Sequence, residues 1–497
     1  MSQVKQLAKE TAIYGVSSIV GRFLNWLLVP LYTKKLFEVA DYGIVTNLYA
    51  WTALLIIVLT YGMETSFFRY SGAKGEDHHK VYGTSLSALF TSSTLFALVV
   101  VFFRHDIAAF LGYQQLGHLI AMMGIMVAMD AFLCIPFARL RFEKRPIKFA
   151  VLKFINVFLN IGANLFFILL CPYLLEKYPD AAFLSFYDYS KQVDYIIFSN
   201  FLASSVMLIL LIPEYFKVKW TFDKLLFKRM FSYAFPILIV GIAGVVNQSG
   251  DKILYPFLIE DASVAQTELG IYGANYKVAI IMVMFIQAFR FAFEPFIFNQ
   301  AGGKKDHKTY ADVMRFFVIF CMLIFLGVTL YIDIVKLLID PKYYAGLKVV
   351  PIVLMAHFFF GIFFNLSLWY KLTDKTRYGA YMAIMGAVIT LSINIIFVPH
   401  YGYMASAWAN LACYSSMMLV SYILMQKFYP ISYDLGKIAL YVLVGLGVFF
   451  LDKKIVPPNV FLDYLYSTLL FLGYLLFCLA NERDLRRFLA SFLKRFV

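Results

Sequence analysis

The sequence predicts an all-α integral membrane protein with about fourteen transmembrane helices. Composition, recurrent apolar runs of spanning length and the sidedness of positive charge carry that expectation. The 497-residue chain is 62% hydrophobic and 15% charged, against roughly 45–50% and about 25% in ordinary soluble domains. Runs of about 20 apolar residues are long enough to cross a bilayer as helices. They recur near residues 12–33, 43–63, 82–103, 116–138, 149–171, 193–213, 232–258, 271–293, 313–332, 349–370, 378–398, 402–425, 436–451 and 461–480.

The net charge of +14 reads as topology rather than as affinity for nucleic acid. With a cytoplasmic N-terminus, the loops assigned to the inside hold 29 of the 44 Lys and Arg, and those outside hold ten. This is the bias of the positive-inside rule, and it places both termini in the cytoplasm. The first apolar run is a full span with no short core and cleavage site, so it is expected to stay as the first helix.

An offset of about 228 residues relates two halves of the chain. Ala73, Gly75 and Tyr82 recur as Ala301, Gly303 and Tyr310, and Pro30/Pro256, Tyr42-Gly43/Tyr272-Gly273, Asp106-Ile107/Asp333-Ile334 and Glu143-Lys144/Asp374-Lys375 keep nearly the same spacing. Each half holds six spans and so enters the membrane from the same side, which makes two pseudo-symmetric six-helix lobes around a central cavity. The expected domains are 1–230, 231–430 and an addition at 431–497 with two further spans and a tail. In that tail Leu485, Phe488, Leu489, Phe492, Leu493 and Phe496 alternate with Arg486, Arg487, Lys494 and Arg495, the pattern of an amphipathic helix on an anionic leaflet.

Five basic residues, Arg22, Lys153, Lys252, Lys277 and Arg290, fall inside apolar spans. A charge at membrane depth costs roughly 2.5–3.5 kcal/mol on insertion scales, so such residues usually face a water-filled cavity or a charged ligand. In span one, Ser18, Arg22 and Asn25 share a helix face, and the fork of a guanidinium suits two phosphate oxygens. Span five carries Lys153, Asn156, Asn160 and Asn164 as a stripe, suited to sugar hydroxyls or to helix-to-helix hydrogen bonds. Span seven carries Asn247 and Asp251 one turn apart. Asp251 admits three roles: neutralising a base such as Lys252 or Arg22, taking up a proton, or joining Asn247 around a sodium ion. Span eight carries Gln287, Arg290 and Glu294 on one face, with an Arg290–Glu294 pair as the plainer reading, and Lys277 without a local acid.

The five cysteines, Cys134, Cys171, Cys321, Cys413 and Cys478, lie in or at the ends of spans with no metal-ligand spacing and read as packing residues. Prolines 30, 136, 236, 256 and 295 lie in or at the ends of spans, where kinks allow bending. Signatures of nucleotide hydrolysis, metalloprotease or serine hydrolase chemistry do not appear, and the outer loops are short. The chain therefore reads as a transporter without a cofactor, driven where coupled by a proton or sodium gradient, and not as an enzyme.

Several segments together resemble the Wzx-type polysaccharide flippases, in the superfamily that also holds multidrug and toxin extrusion transporters and lipid II flippases. They are Gly21-Arg22 to Pro30-Leu31-Tyr32, Asp41-Tyr42-Gly43, Gly62 to Arg69-Tyr70, Asn247 to Asp251, Gly270 to Gly273 with Tyr276-Lys277 and Pro295, and Pro399 to Gly402. The resemblance implies translocation of a polyprenyl-diphosphate-linked oligosaccharide to the outer leaflet for surface polysaccharide synthesis. It also implies a bacterial inner membrane, alternating access, and a role for Arg22 like that of a substrate-binding span-one arginine in lipid II flippases. The substrate-binding set is then Arg22, Asn25, Lys153, Asn160, Asn164, Lys252, Lys277, Gln287 and Arg290, with Arg22 and Lys277 foremost. Asp251 and Asn247 are the ion-coupling candidates. Partners are the lipid-linked oligosaccharide, membrane lipids, and a polysaccharide polymerase with its chain-length machinery. Alternatives are a lipid II flippase, a multidrug exporter, and a membrane-bound glycosyltransferase or polymerase.

Overall fold

Loops, caps and helices account for the whole of a computed structural model that contains no strand among its described residues. Those residues are 15, 19–36, 38–180, 184–300, 307–455, 457–483 and 485–486, without the side chains of 292 and 294–300. Thirteen described helices are long and apolar enough to cross a membrane, and the chain is a multi-pass membrane protein. The remaining expected span, 12–33, is described as helix from residue 19, with a turn at Leu27. Most of the expected amphipathic tail, and the recurring segment from Ala301 to Asp306, lie outside the described residues.

In chain order the helices are α1 (Leu28–Lys35), α2 (Val39–Thr60), α3 (Met63–Ser71), α4 (His78–Phe102), α5 (Arg104–Phe110), α6 (Gly117–Phe142), α7 (Pro146–Leu165), α8 (Cys171–Lys177), α9 (Gln192–Leu210), α10 (Ile212–Tyr215), α11 (Lys224–Leu258) and α12 (Ala262–Gln300). They continue as α13 (His307–Thr329), α14 (Ile332–Val335), α15 (Val349–Leu366), α16 (Leu368–Leu372), α17 (Arg377–Tyr401), α18 (Tyr403–Phe428), α19 (Leu435–Lys454) and α20 (Val460–Asn481). A π-helical turn, Phe166–Leu170, joins α7 to α8. The starts follow local chemistry. Asp77 accepts from the His79 amide, Asp223 from Leu226, Asp434 from Lys437 and Asn459 from Leu462, each satisfying an amide that the first helical turn leaves unbonded.

Two compact units partition the chain, Met1–Ala274 with Ala383–Ala409, and Asn275–Met382 with Asn410–Val497. Within the first unit α11 packs along α2, α3 and α4. In the first unit α4 packs on α6, and α9 packs on both α6 and α7. Met63, Phe67 and Tyr82 are fully buried in its core. Lipid tails are as apolar as leucine, so close packing and interhelical polar bonds hold such a bundle rather than exclusion of apolar surface from water. One such bond runs from the Ser66 hydroxyl to the Met230 carbonyl at 2.9 Å.

At one end of this unit the buried Glu214 carboxylate is met by Arg145 at 3.0 Å, Lys148 at 2.5 Å and Lys217 at 3.0 Å. Tyr82 donates to the Glu214 carbonyl at 3.1 Å. Burial opposes the charge on Glu214, but the three cations outweigh it and hold the carboxyl down at about 2, against an ordinary 4.5.

In the second unit α13 packs against α15 and α19, and α19 against α20. The expected C-terminal addition is bonded to α13 and the residues that follow it at two places: Arg315 pairs with Glu482 at 3.0 Å, and Tyr331 bonds Thr468 at 2.9 Å. Tyr441 also donates to Glu482 at 2.8 Å. Large apolar side chains remain exposed on both units, among them Phe102 and Phe461, as lipid-facing helices require.

Candidate functional site

Arg22 and Asn25 are both exposed, on the helical stretch that precedes α1. Asn25 ends a chain of hydrogen bonds. Tyr32 Oη donates to Asn164 Oδ1 at 2.9 Å, Asn164 Nδ2 to Asn160 Oδ1 at 3.0 Å, and Asn160 Nδ2 to Asn25 Oδ1 at 3.1 Å. The one-turn spacing of Asn160 and Asn164 stacks their amides, and both are buried. They bond α7 to α1 and the residues before it. Of the predicted stripe in span five, these two face a helix, while Lys153 and Asn156 border a cavity. Tyr32 stood out in the sequence only within the Pro30-Leu31-Tyr32 segment and not as a site residue, since its partner lies 132 residues away.

Asp251 and Lys252 are adjacent on α11 and almost wholly buried, at 1% and 7% exposure. The lysine stem folds back so that Nζ lies 3.0 Å from each carboxylate oxygen. Tyr272 Oη adds a 2.6 Å hydrogen bond to Asp251. Tyr113 donates to Asn47 at 3.0 Å, and Asn47 donates to the Lys252 carbonyl at 2.7 Å, which secures the backbone there. Asn247 Nδ2 donates to the Ala383 carbonyl at 3.0 Å. Of the roles open to Asp251, this arrangement displays neutralisation of a base, Lys252. The contact of Tyr272 with Asp251 was missed because Tyr272 lies on another helix.

In the second unit Lys277 and Gln287 are partly buried and Arg290 is exposed. The Arg290 guanidinium lies 4.7 Å from the centre of the Phe364 ring, and Lys371 Nζ lies 4.9 Å from the same ring. Two cations thus share one aromatic face system. Sequence reasoning counted Lys371 as a loop charge. Lys277 and Arg290 are separated along α12 by about 20 Å at 1.5 Å per residue, too far for both to reach one small group. The Glu294 side chain, and with it the expected Arg290–Glu294 pair, lies outside the described residues.

The cavity bordered by Lys153 lies wholly within the first unit and has a volume of about 420 Å³. Its polar lining includes Glu64, Asp130, Arg141, Lys153, Asn156, Asn200 and Ser204. Arg141 pairs with Glu64, and Ser204 donates to Asp130 at 2.7 Å. Lys153 Nζ stands 4.1 Å over the Phe137 ring.

Comparison with known proteins agrees with this all-helical architecture. The family model described as polysaccharide biosynthesis protein matches residues 7–300. The lipid II flippase MurJ, in an inward closed conformation, superposes with a TM-score of 0.72 at 16% identity, over 95% of this chain and 99% of that one. The MATE multidrug transporter DinF-BH gives 0.61 at 13% identity, over 85% and 96%. The eukaryotic MATE transporter AtDTX14 gives 0.53 at 14%, over 88% and 98%. At such identities the likeness shows a shared fold. No curated protein sequence matches the chain significantly. A transporter fold with basic side chains set in apolar helices, matched over more than half of its length by that model, places the chain in the polysaccharide biosynthesis protein family.

Proposed function

We propose that the protein is a flippase that moves a polyprenyl-diphosphate-linked oligosaccharide from the cytoplasmic to the outer leaflet of a bacterial inner membrane, by alternating access and with both termini in the cytoplasm. The observation that carries this reading is Arg22, an arginine exposed on a largely apolar helix in a chain of the polysaccharide biosynthesis family. An intramembrane cation of this kind favours an anionic ligand, and its planar donors match the oxygens of a diphosphate. The first unit offers Arg22 with Asn25. The second offers Lys277, Gln287 and Arg290, with Lys371 beside Arg290. Asn160 and Asn164 position Asn25, and Lys252 acts through its pair with Asp251.

Proton or sodium coupling through Asp251 and Asn247 would require the Asp251–Lys252 pair to open. A polymerase and its chain-length machinery are the proposed partners that take up the product. Lipid II shares the diphosphate and polyprenyl groups of the proposed substrate, and the fold shared with MurJ supports it as a second reading.

Export of surface polysaccharide by cells whose own gene for this step is deleted tests the proposal. Wild-type protein should restore export, while Arg22→Ala and Lys277→Ala should insert normally and restore little. Full export by both variants would remove them from the substrate path.

A further inference from the structure

We propose that the cavity of the first unit is a binding site for an acetamido sugar of the N-acetylhexosamine class. Its 420 Å³ lies within the roughly 300–1,000 Å³ common for small-molecule sites. Its charges are arranged in a particular way. Glu64 and Arg141 neutralise each other at one side. Asp130 and Lys153 feel one another's charge, yet no ion pair joins them, and among the described residues the Lys153 ammonium has no hydrogen-bond acceptor. The cavity therefore presents an acceptor and a donor with a gap between them.

A ligand that bridges such a gap needs a donor and an acceptor side by side and no net charge. A carboxylated ligand would meet Glu64 and Asp130, and an amine would meet Arg141 and Lys153. An acetamido group fits: its N–H donates to the Asp130 oxygen that Ser204 does not occupy, and its carbonyl accepts from Lys153. Leu133 and Met207 line the same cavity and suit the acetyl methyl. The Asn156 amide has no partner among the described residues. Asn200 donates to Tyr49 Oη at 2.7 Å and to the Ile196 carbonyl at 3.0 Å, which leaves its oxygen for a ring hydroxyl. The source of the sugar, as part of a lipid-linked glycan, rests on the flippase reading, whereas the recognition chemistry does not.

Cys134 lines this cavity and is partly exposed, whereas the other four cysteines are buried. The rate at which methyl methanethiosulfonate modifies Cys134 in the full-length protein in proteoliposomes, read by mass spectrometry, therefore reports occupancy. N-acetylglucosamine at ten times its dissociation constant should slow the reaction about tenfold, with glucose and glucosamine giving much less protection. Lys153→Met should abolish protection while Cys134 stays reactive. Absence of protection by N-acetylglucosamine, or equal protection by glucose, would overturn the proposal, and that comparison needs only wild-type protein. Leaflet exchange of a polyprenyl-diphosphate-linked oligosaccharide in the same vesicles separates the two ideas. Protection without exchange keeps the site and rejects the flippase reading. Exchange without protection does the reverse.

Discussion

Asp251 and Lys252 leave their helix about 100° apart, yet they form a buried pair, and Tyr272 donates to the same carboxylate. Removing one partner of a buried pair leaves an uncompensated charge and costs about 3–5 kcal/mol. Asp251→Asn and Lys252→Met should therefore each lower the melting temperature of the purified protein markedly, and the double substitution should recover much of the loss. Single effects that simply add in the double variant would show that the two side chains are not coupled. The neutralising role of Asp251 was legible in the sequence as one of three. Tyr272, 21 residues away on a different helix, was not, because a hydroxyl on an apolar span carries no periodic signal of its partner. Lys153 shows the same limit. Its place in the stripe of span five was legible, but the cavity that it borders with residues of other helices was not.

Between α2 and the start of α12, glycines set the distance. A side chain at Gly43 would run into the Gln266 carbonyl, and one at Gly270 into the Val39 carbonyl. Backbone atoms cannot yield as a flexible side chain can, so Gly43→Ala and Gly270→Ala should each force these helices apart and sharply reduce the yield of folded protein in detergent. Gly162→Ala, where nothing lies within 4 Å, should leave that yield unchanged. Equal yields for all three variants would contradict the close approach. A second contact between elements is the amide relay, where Asn164→Leu would remove the acceptor of Tyr32 and the donor to Asn160. Interhelical hydrogen bonds in membranes average about 0.6 kcal/mol, so this change should lower the melting temperature by only a few degrees. Hydropathy located these helices because period and length are local properties. Which faces meet depends on glycines and amides distributed across the chain, and the motifs Tyr42-Gly43 and Gly270 to Gly273 mark the place without stating the contact.

For the molecule as a whole, composition was enough to give an all-helical membrane protein, and the spacing of apolar runs gave its spans. The packing of α11 against α2, α3 and α4 within one compact unit depends on side-chain fit and carries no periodic signal in the sequence. Stability of the whole should depend on pH through Glu214. Its carboxyl titrates at about 2 when folded and near 4.5 otherwise, so its contribution is complete above about pH 4.5 and is lost as pH falls toward 2. Wild-type protein should melt at progressively lower temperature across that window. Glu214→Gln should melt lower at neutral pH and show a flatter profile, and a profile identical to the wild type would remove Glu214 from the account. The proposed function at this scale is the passage of an anionic, lipid-linked substrate across the bilayer. The most direct measurement is leaflet exchange of a fluorescent polyprenyl-diphosphate-linked oligosaccharide in vesicles that contain the purified protein or Arg22→Ala. Rapid exchange with the wild type, reduced to the rate of protein-free vesicles by Arg22→Ala, is the predicted result; exchange no faster than in empty vesicles with the wild type, or undiminished in the variant, would contradict it.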